Sequence, residues 1–355
     1  ATPTAAILRI LQEEGMGFDC SSRTELLMME RMKVPGKDIF YTSNNTPKED
    51  FELAIKLGAT VNIDDFAQVP SFMEVLGSGQ LENLAARYNP GSKKAGNHII
   101  GEPKNAKFGM STEALIESFS YLKKCNIKNF GLHAMVASNE LNPKYFEDTV
   151  KLILNEVKEI EQRVGITFSF INIGGGFGVN YKTNEEEFDI DKVSELIHLA
   201  VLAANREDLR IFTECGRYVT GPHGYLLTKA RYVMRKHKTY LGVDASMHNL
   251  MRPGMYSAYH HITVLGREEE TITRSYDVVG SLCENNDKFA IDRQLPWVQP
   301  GDILAIHDVG AHGHAMGFNY NGMLRSAEVL MSNGDGRLIR KAETADDYFR
   351  NLVWE

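Results

Sequence analysis

Residues 168–178 read Phe-Ser-Phe-Ile-Asn-Ile-Gly-Gly-Gly-Phe-Gly. The mostly apolar run Phe168–Ile173 is too short for a helix and stops at three glycines, as a buried strand entering a tight turn does. Just upstream, 144–163 carries Phe146, Val150, Ile153, Val157 and Ile160 on one stripe, with Val164 just beyond, which predicts an amphipathic helix. Downstream, Leu209–Glu214 is another short apolar run, ending on a carboxylate. Helices and short strands in alternation predict a parallel sheet.

The same rhythm runs back to the start of the chain. Strands are expected at Gly17–Cys20, Asp38–Tyr41, Thr60–Ile63, Leu84–Asn89 and Phe130–Met135, giving seven with the two above. Seven βα units over about 220 residues fit a (β/α)8 TIM-type barrel, which needs eight strands. The chain opens on a helical stretch, Thr2–Glu14, with Ala6, Ile7, Ile10 and Leu11 in phase and Gly15 as the stop. The expected first strand therefore lies upstream of Ala1. Beyond about residue 222 the rhythm changes. Val233–Lys236, Thr239–Val243, Thr273–Val279, Asp302–His307 and Glu328–Met331 are separated by Gly, Pro, Asn and Asp turns. We expect a barrel domain over 1–222 and a mostly antiparallel β domain over 223–355. The Gly-, Lys- and Pro-rich stretch Asn89–Met110 reads as a long barrel loop of the functional kind.

Composition narrows the class. In 355 residues, 43% are hydrophobic and 24% charged, an ordinary globular balance. Thirty-nine Lys and Arg against 47 Asp and Glu leave a net charge of −8, with no basic cluster, which argues against nucleic acid and anionic lipid as partners. No apolar run is long enough to span a membrane, and no signal peptide is visible. Four cysteines without CxxC spacing read as reduced thiols, and hence as a cytoplasmic protein.

Chemistry concentrates on two loops. With one strand upstream, Gly174–Gly176 follows barrel strand 7 and Glu214-Cys215-Gly216-Arg217 follows strand 8, where barrels build phosphate sites. Three glycines let backbone N–H groups approach an anion, though a plain tight turn also explains them. A dinucleotide fingerprint fits less well, because the spacing is Gly-x-Gly-x-x-Val and no acidic residue follows in the required context. Glu214 at a strand end could hold a pyridinium N–H, as pyridoxal 5'-phosphate requires, and Arg217 could clamp a carboxylate. His307, Asp308, His312 and His314 form a local cluster with an HxH pattern. We read them as polar loop residues and expect no metal.

The runs GGGFG (174–178), ECGRYVTGPHG (214–224), VDASMHNLMRPGMY (243–256), GSLCENNDKFAIDRQLP (280–296) and GDILAIHDVGAHGHAMGFNYNG (301–322) together resemble the diaminopimelate decarboxylases. These are pyridoxal-phosphate enzymes with an alanine-racemase-like barrel and a β domain, related to ornithine decarboxylase. The resemblance covers nearly the whole chain. It implies decarboxylation of meso-2,6-diaminopimelate to L-lysine and CO2, in a homodimer with shared active sites. Alternatives are a related decarboxylase for ornithine, lysine or carboxynorspermidine, or a non-catalytic cofactor-binding homologue.

The resemblance also implies roles. Gly174, Gly175 and Gly176, with the Cys215, Gly216 and Arg217 backbone and Ser138, would bind the cofactor phosphate. Glu214 would keep the ring nitrogen protonated, and Asp19, His133 and Tyr320 would lie beside the cofactor. Arg217, Arg252 and Tyr256 would grip the substrate's distal carboxylate. Cys283 would protonate the α-carbon and Glu284 would take the distal ammonium, both across the dimer interface. The cofactor-linked lysine of the family would lie just before Ala1. Two positions depart from the pattern. Met135 stands where the family has a histidine that stacks on the ring, so either its thioether packs there or His133 takes the role. His312 stands where the family has tyrosine.

Overall fold

The computed structural model describes residues 1–96, 101–182 and 187–355. Four residues of the long 89–110 loop, 97–100, lie outside them. The described chain packs into two compact units. One comprises Arg9–Gly178 and Phe188–Cys215, the other Ala1–Leu8, Val179–Glu187 and Gly216–Glu355.

The first unit is built on seven strands: β1 (Phe18–Cys20), β2 (Ile39–Thr42), β3 (Thr60–Ile63), β4 (Gln80–Tyr88), β5 (Asn126–Ala134), β6 (Phe168–Asn172) and β7 (Arg210–Phe212). They form one sheet in chain order, every pair parallel. Sequential parallel order with a helix between neighbours is the arrangement of a TIM-type barrel, and the sequence supplies seven of its strands. The helices between them are α2 (Arg23–Met32), α3 (Lys48–Leu57), α4 (Val69–Leu76), α5 (Thr112–Leu122), α6 (Pro143–Val164) and α7 (Ile190–Ala203), with α1 (Ala5–Glu13) ahead of β1.

Local chemistry sets these limits. Asn142 caps α6 by accepting from Lys144 N–H, Pro143 takes the first turn, and Gly165 ends it at φ 73°. The expected stripe Phe146, Val150, Ile153, Val157, Ile160 and Val164 is buried, each side chain contributing about 1.5–3 kcal/mol. All seven expected strands are present. β4 and β5 start four residues earlier than expected, where Gln80–Asn83 and Asn126–Asn129 each hold one apolar residue, Leu81 and Ile127, among polar ones that mask the strand pattern.

The second unit holds a six-stranded sheet of β8 (Leu226–Arg235), β9 (Thr239–Val243), β10 (Ile262–Val264), β11 (Arg274–Val279), β12 (Lys288–Leu295) and β13 (Ile303–Ile306), in the order β10-β13-β8-β9-β11-β12. Every pair is antiparallel except β9 with β11. Its core is Leu241, Val243, Leu250, Tyr276, Val278, Phe289, Val298, Leu304 and Ile306. A separate hairpin, β14 (Glu328–Ser332) and β15 (Asp335–Arg340), turns on Asn333-Gly334, both at positive φ as a two-residue hairpin demands. Strands β10, β12 and β15 were not expected from the sequence. Two short helices, α8 (Gly216–Thr220) and α9 (Arg252–Tyr256), carry functional candidates. No helix among the described residues is long and apolar enough to cross a membrane, and all four cysteines are free thiols.

Candidate active site

In the first unit the candidates meet at the C-terminal ends of the strands. Gly174 and Gly176 adopt φ of 69° and 101°, a region that side chains other than glycine rarely enter. Space is also short. A Cβ on Gly176 would lie 2.7 Å from the Ala137 Cβ, and one on Gly175 would collide with the Glu214 carbonyl. The turn is pinned from two sides, by Glu140 N–H on the Gly176 carbonyl at 2.8 Å and by Glu214 N–H on the Gly174 carbonyl at 2.9 Å.

Asn172, the last residue of β6, joins this turn to the acid. Its Oδ1 accepts from Gly174 N–H at 2.9 Å, and its Nδ2 donates to Glu214 Oε1 at 2.7 Å. The Gly174 N–H is therefore already engaged, and its part is to shape the turn. Gly175 N–H has only the Met135 thioether, at 3.2 Å, and Gly176 N–H has no partner among the described residues. Those two remain for an anion. Ser138 lies half-buried in the segment 135–140 that wraps this turn.

His133, 1% exposed, is the penultimate residue of β5, close to the same turn. Asn62 Nδ2 donates to its Nδ1 at 2.7 Å, which places the ring proton on Nε2, 3.6 Å from Glu214 Oε1. Burial opposes ionisation of Glu214, but His133, the Asn172 amide and the Arg87 charge outweigh it and hold the carboxyl below its usual range. Asp19, in β1, goes the other way. Enclosure by the protein, then the Glu214 and Glu25 charges, push it well up, with Arg87 opposing. Glu214 is thus the ionised member of the pair. Its Oε1 is taken and its Oε2 carries no hydrogen bond among the described residues. Burial pushes the Cys215 thiol up to about 11, so it stays protonated beside the acid.

The second unit gathers the cations. Arg217 on α8 donates from Nη1 to the Tyr181 hydroxyl at 2.9 Å. Arg252 on α9, 3% exposed, stacks over the Tyr181 ring at 4.5 Å and contacts His260 Nε2 at 2.6 Å. Tyr256 ends the same helix, half-buried. Burial pushes His312 down to about 3, the nearby Arg217 and Arg252 adding to it, so this histidine is neutral. Of the other two histidines of the local cluster, His307 Nε2 meets Thr263 Oγ1 at 2.9 Å and His314 Nδ1 meets Arg325 Nη2 at 2.6 Å.

The same unit brings Cys283, Glu284 and Tyr320 together. Cys283 is exposed, and its N–H donates to Asn321 Oδ1 at 3.0 Å. The Glu284 charge, and a hydrogen bond to it, push the Tyr320 phenol up. Asp287 braces this loop, accepting from Met247 N–H at 2.6 Å and Leu282 N–H at 2.8 Å. Asn286 Nδ2 ties it to the Gly254 carbonyl of α9 at 3.1 Å.

Sequence reasoning passed over Asn172, Asn62, Tyr181, His260 and Asp287. Only Asn172 left a signal, as a lone amide in an apolar strand just before three glycines. Of the two histidine alternatives, the geometry sets Met135 against the glycine turn and buries His133 against Asn62 and Glu214.

These residues fit pyridoxal 5'-phosphate. An ionised carboxylate with one open oxygen suits a pyridinium N–H, and two open backbone donors suit a phosphate. Known proteins agree. Protein TabA of Pseudomonas amygdali pv. tabaci is 38% identical over 357 residues, covering 100% of this chain and 84% of that protein. The diaminopimelate decarboxylase of Methanothermobacter thermautotrophicus is 33% identical over 358 residues, 99% of this chain and 82% of that one. The solved structure of the M. jannaschii diaminopimelate decarboxylase with L-lysine superposes with a TM-score of 0.91 at 29% identity, over 99% of this chain and 82% of that one. The family profile described as "Pyridoxal-dependent decarboxylase, pyridoxal binding domain" matches residues 1–221, the stretch that carries the glycine turn, Asn172 and Glu214, and so this chain belongs to the pyridoxal-dependent decarboxylases.

Proposed function

We propose that the protein decarboxylates meso-2,6-diaminopimelate to L-lysine and CO2, as a homodimer whose sites are completed across the interface. One observation carries the choice of substrate. Arg252 is a buried guanidinium with no carboxylate at ion-pair distance among the described residues, which suits a substrate with a second carboxylate. Bound pyridoxal 5'-phosphate supplies an electron sink for the pair left when the α-carboxylate departs as CO2.

The chain's residues do the rest. The Gly175 and Gly176 N–H groups, with Ser138 and the Cys215–Gly216–Arg217 backbone, hold the phosphate. Glu214, kept ionised by His133, Asn172 and Arg87, would keep the cofactor's ring nitrogen protonated. Arg217, Arg252 and Tyr256 hold the distal carboxylate, and Glu284 and Tyr320 the distal ammonium. When the C–C bond breaks, its electron pair would be taken up by the bound cofactor, and the Cys283 thiol of the other subunit would deliver a proton to the α-carbon as the pair returns there. Water then reprotonates the thiolate. In this reading the barrel domain over 1–222 holds the cofactor and supplies Arg217, and the β domain over 223–355 supplies the other substrate contacts and the proton donor.

The test is CO2 release by the full-length protein from meso-diaminopimelate, L-ornithine and L-lysine in parallel. Turnover of diaminopimelate well above the other two is expected. Release from ornithine or lysine but not from diaminopimelate refutes the substrate, and cofactor binding with no release from any refutes catalysis.

A further inference from the structure

We propose that His260 is a specificity-determining positioning residue: as a neutral acceptor it fixes the Arg252 guanidinium without neutralising it, and so reserves that charge for a substrate carboxylate. The inference rests on the reading that Arg252 meets the distal carboxylate.

A guanidinium buried to 3% exposure ordinarily lies against a carboxylate, because an unpaired buried charge is costly. Among the described residues Arg252 has no carboxylate within ion-pair distance, and Asp308 lies only near enough for its carboxyl to feel the Arg252 charge. Burial pushes it down to about 10, Arg217 adding to this, so it stays cationic at neutral pH. Its partners are uncharged. His260 Nδ1–H donates to the His307 carbonyl at 2.8 Å, which turns the lone pair of Nε2 toward Arg252 Nη1 at 2.6 Å. Burial and the Arg252 charge push His260 down to about 3, so the ring adds no charge of its own.

Tyr181 extends the device. Its ring lies under Arg252 and edge-on to His260 at 5.0 Å, while its hydroxyl accepts from Arg217. Two guanidiniums are thereby oriented by a phenol and an imidazole rather than by a carboxylate. Of the five N–H donors of Arg252, one is spent on His260 and one is shared with the Tyr181 hydroxyl, and the others remain for a carboxylate. A carboxylate at position 260 would hold Arg252 equally well but would cancel it. Placement and charge are therefore separable by mutation.

The experiment compares His260→Gln, which keeps a neutral acceptor, with His260→Glu, which adds a charge, in the full-length holoenzyme. His260→Gln should stay within about threefold of wild type in KM and kcat for diaminopimelate. His260→Glu should raise that KM about thirtyfold or more with kcat little changed. Its thermal midpoint should equal or exceed that of wild type, because Arg252 gains an ion pair. A purely structural role predicts the reverse order, with the charged variant the less stable and kcat falling with it. A His260→Glu KM within threefold of wild type, or equal losses in both variants, overturns the proposal. Should His260→Glu not fold, His260→Leu replaces it: without an acceptor its KM should rise about tenfold while that of Gln does not, and equal values overturn the idea. If wild type releases no CO2 from diaminopimelate, the substrate reading has failed. The proposal is then read from glutarate binding by calorimetry. Binding by wild type and not by His260→Glu supports it, and equal or absent binding in both overturns it.

Discussion

At the scale of the residue, Asp19 and Glu214 share one field and respond to it in opposite senses. Glu214 is stabilised as a carboxylate, so it contributes stability above its unfolded pKa that is lost as pH falls through its lowered folded value. Asp19 is raised, so the folded state is penalised as pH climbs from the unfolded value through the elevated one. Asp19→Asn should therefore raise the thermal midpoint at about pH 8 and lose that advantage near about pH 4, where wild-type Asp19 is protonated in the fold. Scanning calorimetry across that range checks it, and a variant no more stable than wild type at the alkaline end contradicts the assignment. Glu214→Ala should retain cofactor, seen by its absorbance, yet lose about 10²–10⁴-fold in kcat. Near-normal turnover would remove Glu214 from its role. Asn172→Ala strikes the glycine turn and the acid together, so cofactor affinity and kcat should both fall, where Glu214→Ala affects mainly the second.

At the scale of the element, two loops owe their shape to contacts that their own residues do not supply. The turn at 174–176 stands because Glu140 and Glu214 donate to its carbonyls and because no Cβ intrudes. Gly176→Ala forces both a positive φ and a 2.7 Å contact with Ala137, a cost of about 1–3 kcal/mol in urea unfolding. Cofactor affinity should weaken with it. The loop from Gly280 to Asp287 depends on the Asp287 carboxylate, which accepts two backbone N–H groups. Asp287→Ala leaves both without an acceptor, at about 1–3 kcal/mol each where buried. Cys283 and Glu284 should then lose their placement, with kcat falling more than cofactor affinity. Unchanged kcat in a folded Asp287→Ala protein would mean that this loop does not serve the reaction.

At the scale of the whole molecule, the question is whether Cys283 serves its own subunit's cofactor or its partner's. Mixing Cys283→Ala with Glu214→Ala subunits separates the two. With shared sites a mixed dimer has one site bearing both lesions and one bearing neither, so a random mixture should recover about a quarter of wild-type activity. Self-contained sites carry one lesion each and recover nothing. A protein that sediments as a monomer at assay concentration would also count against sharing.

The βα rhythm, the helix stripes and the change of pattern near residue 222 were legible because hydrophobic periodicity is local: each strand or helix displays its burial within its own residues. The strands that were missed show the limit. In β12, Lys288–Leu295, Asp292 and Arg293 break the alternation, and sheet pairing with β11 supplies what the pattern lacks. Glu214, Arg217, Arg252 and Cys283 could be singled out because each falls in a run whose order resembles a family. Which groups serve them could not. Asn172 reaches Glu214 across 42 positions, Asn62 reaches His133 across 71, and Tyr181 lies under Arg252. A polar side chain chooses its partner by position in space, and that position is set only when distant segments pack. The sequence by itself therefore determined the class of fold and the chemical groups, while the tertiary structure decided which carboxylate is ionised and which buried guanidinium lies without an ion-pair partner among the described residues.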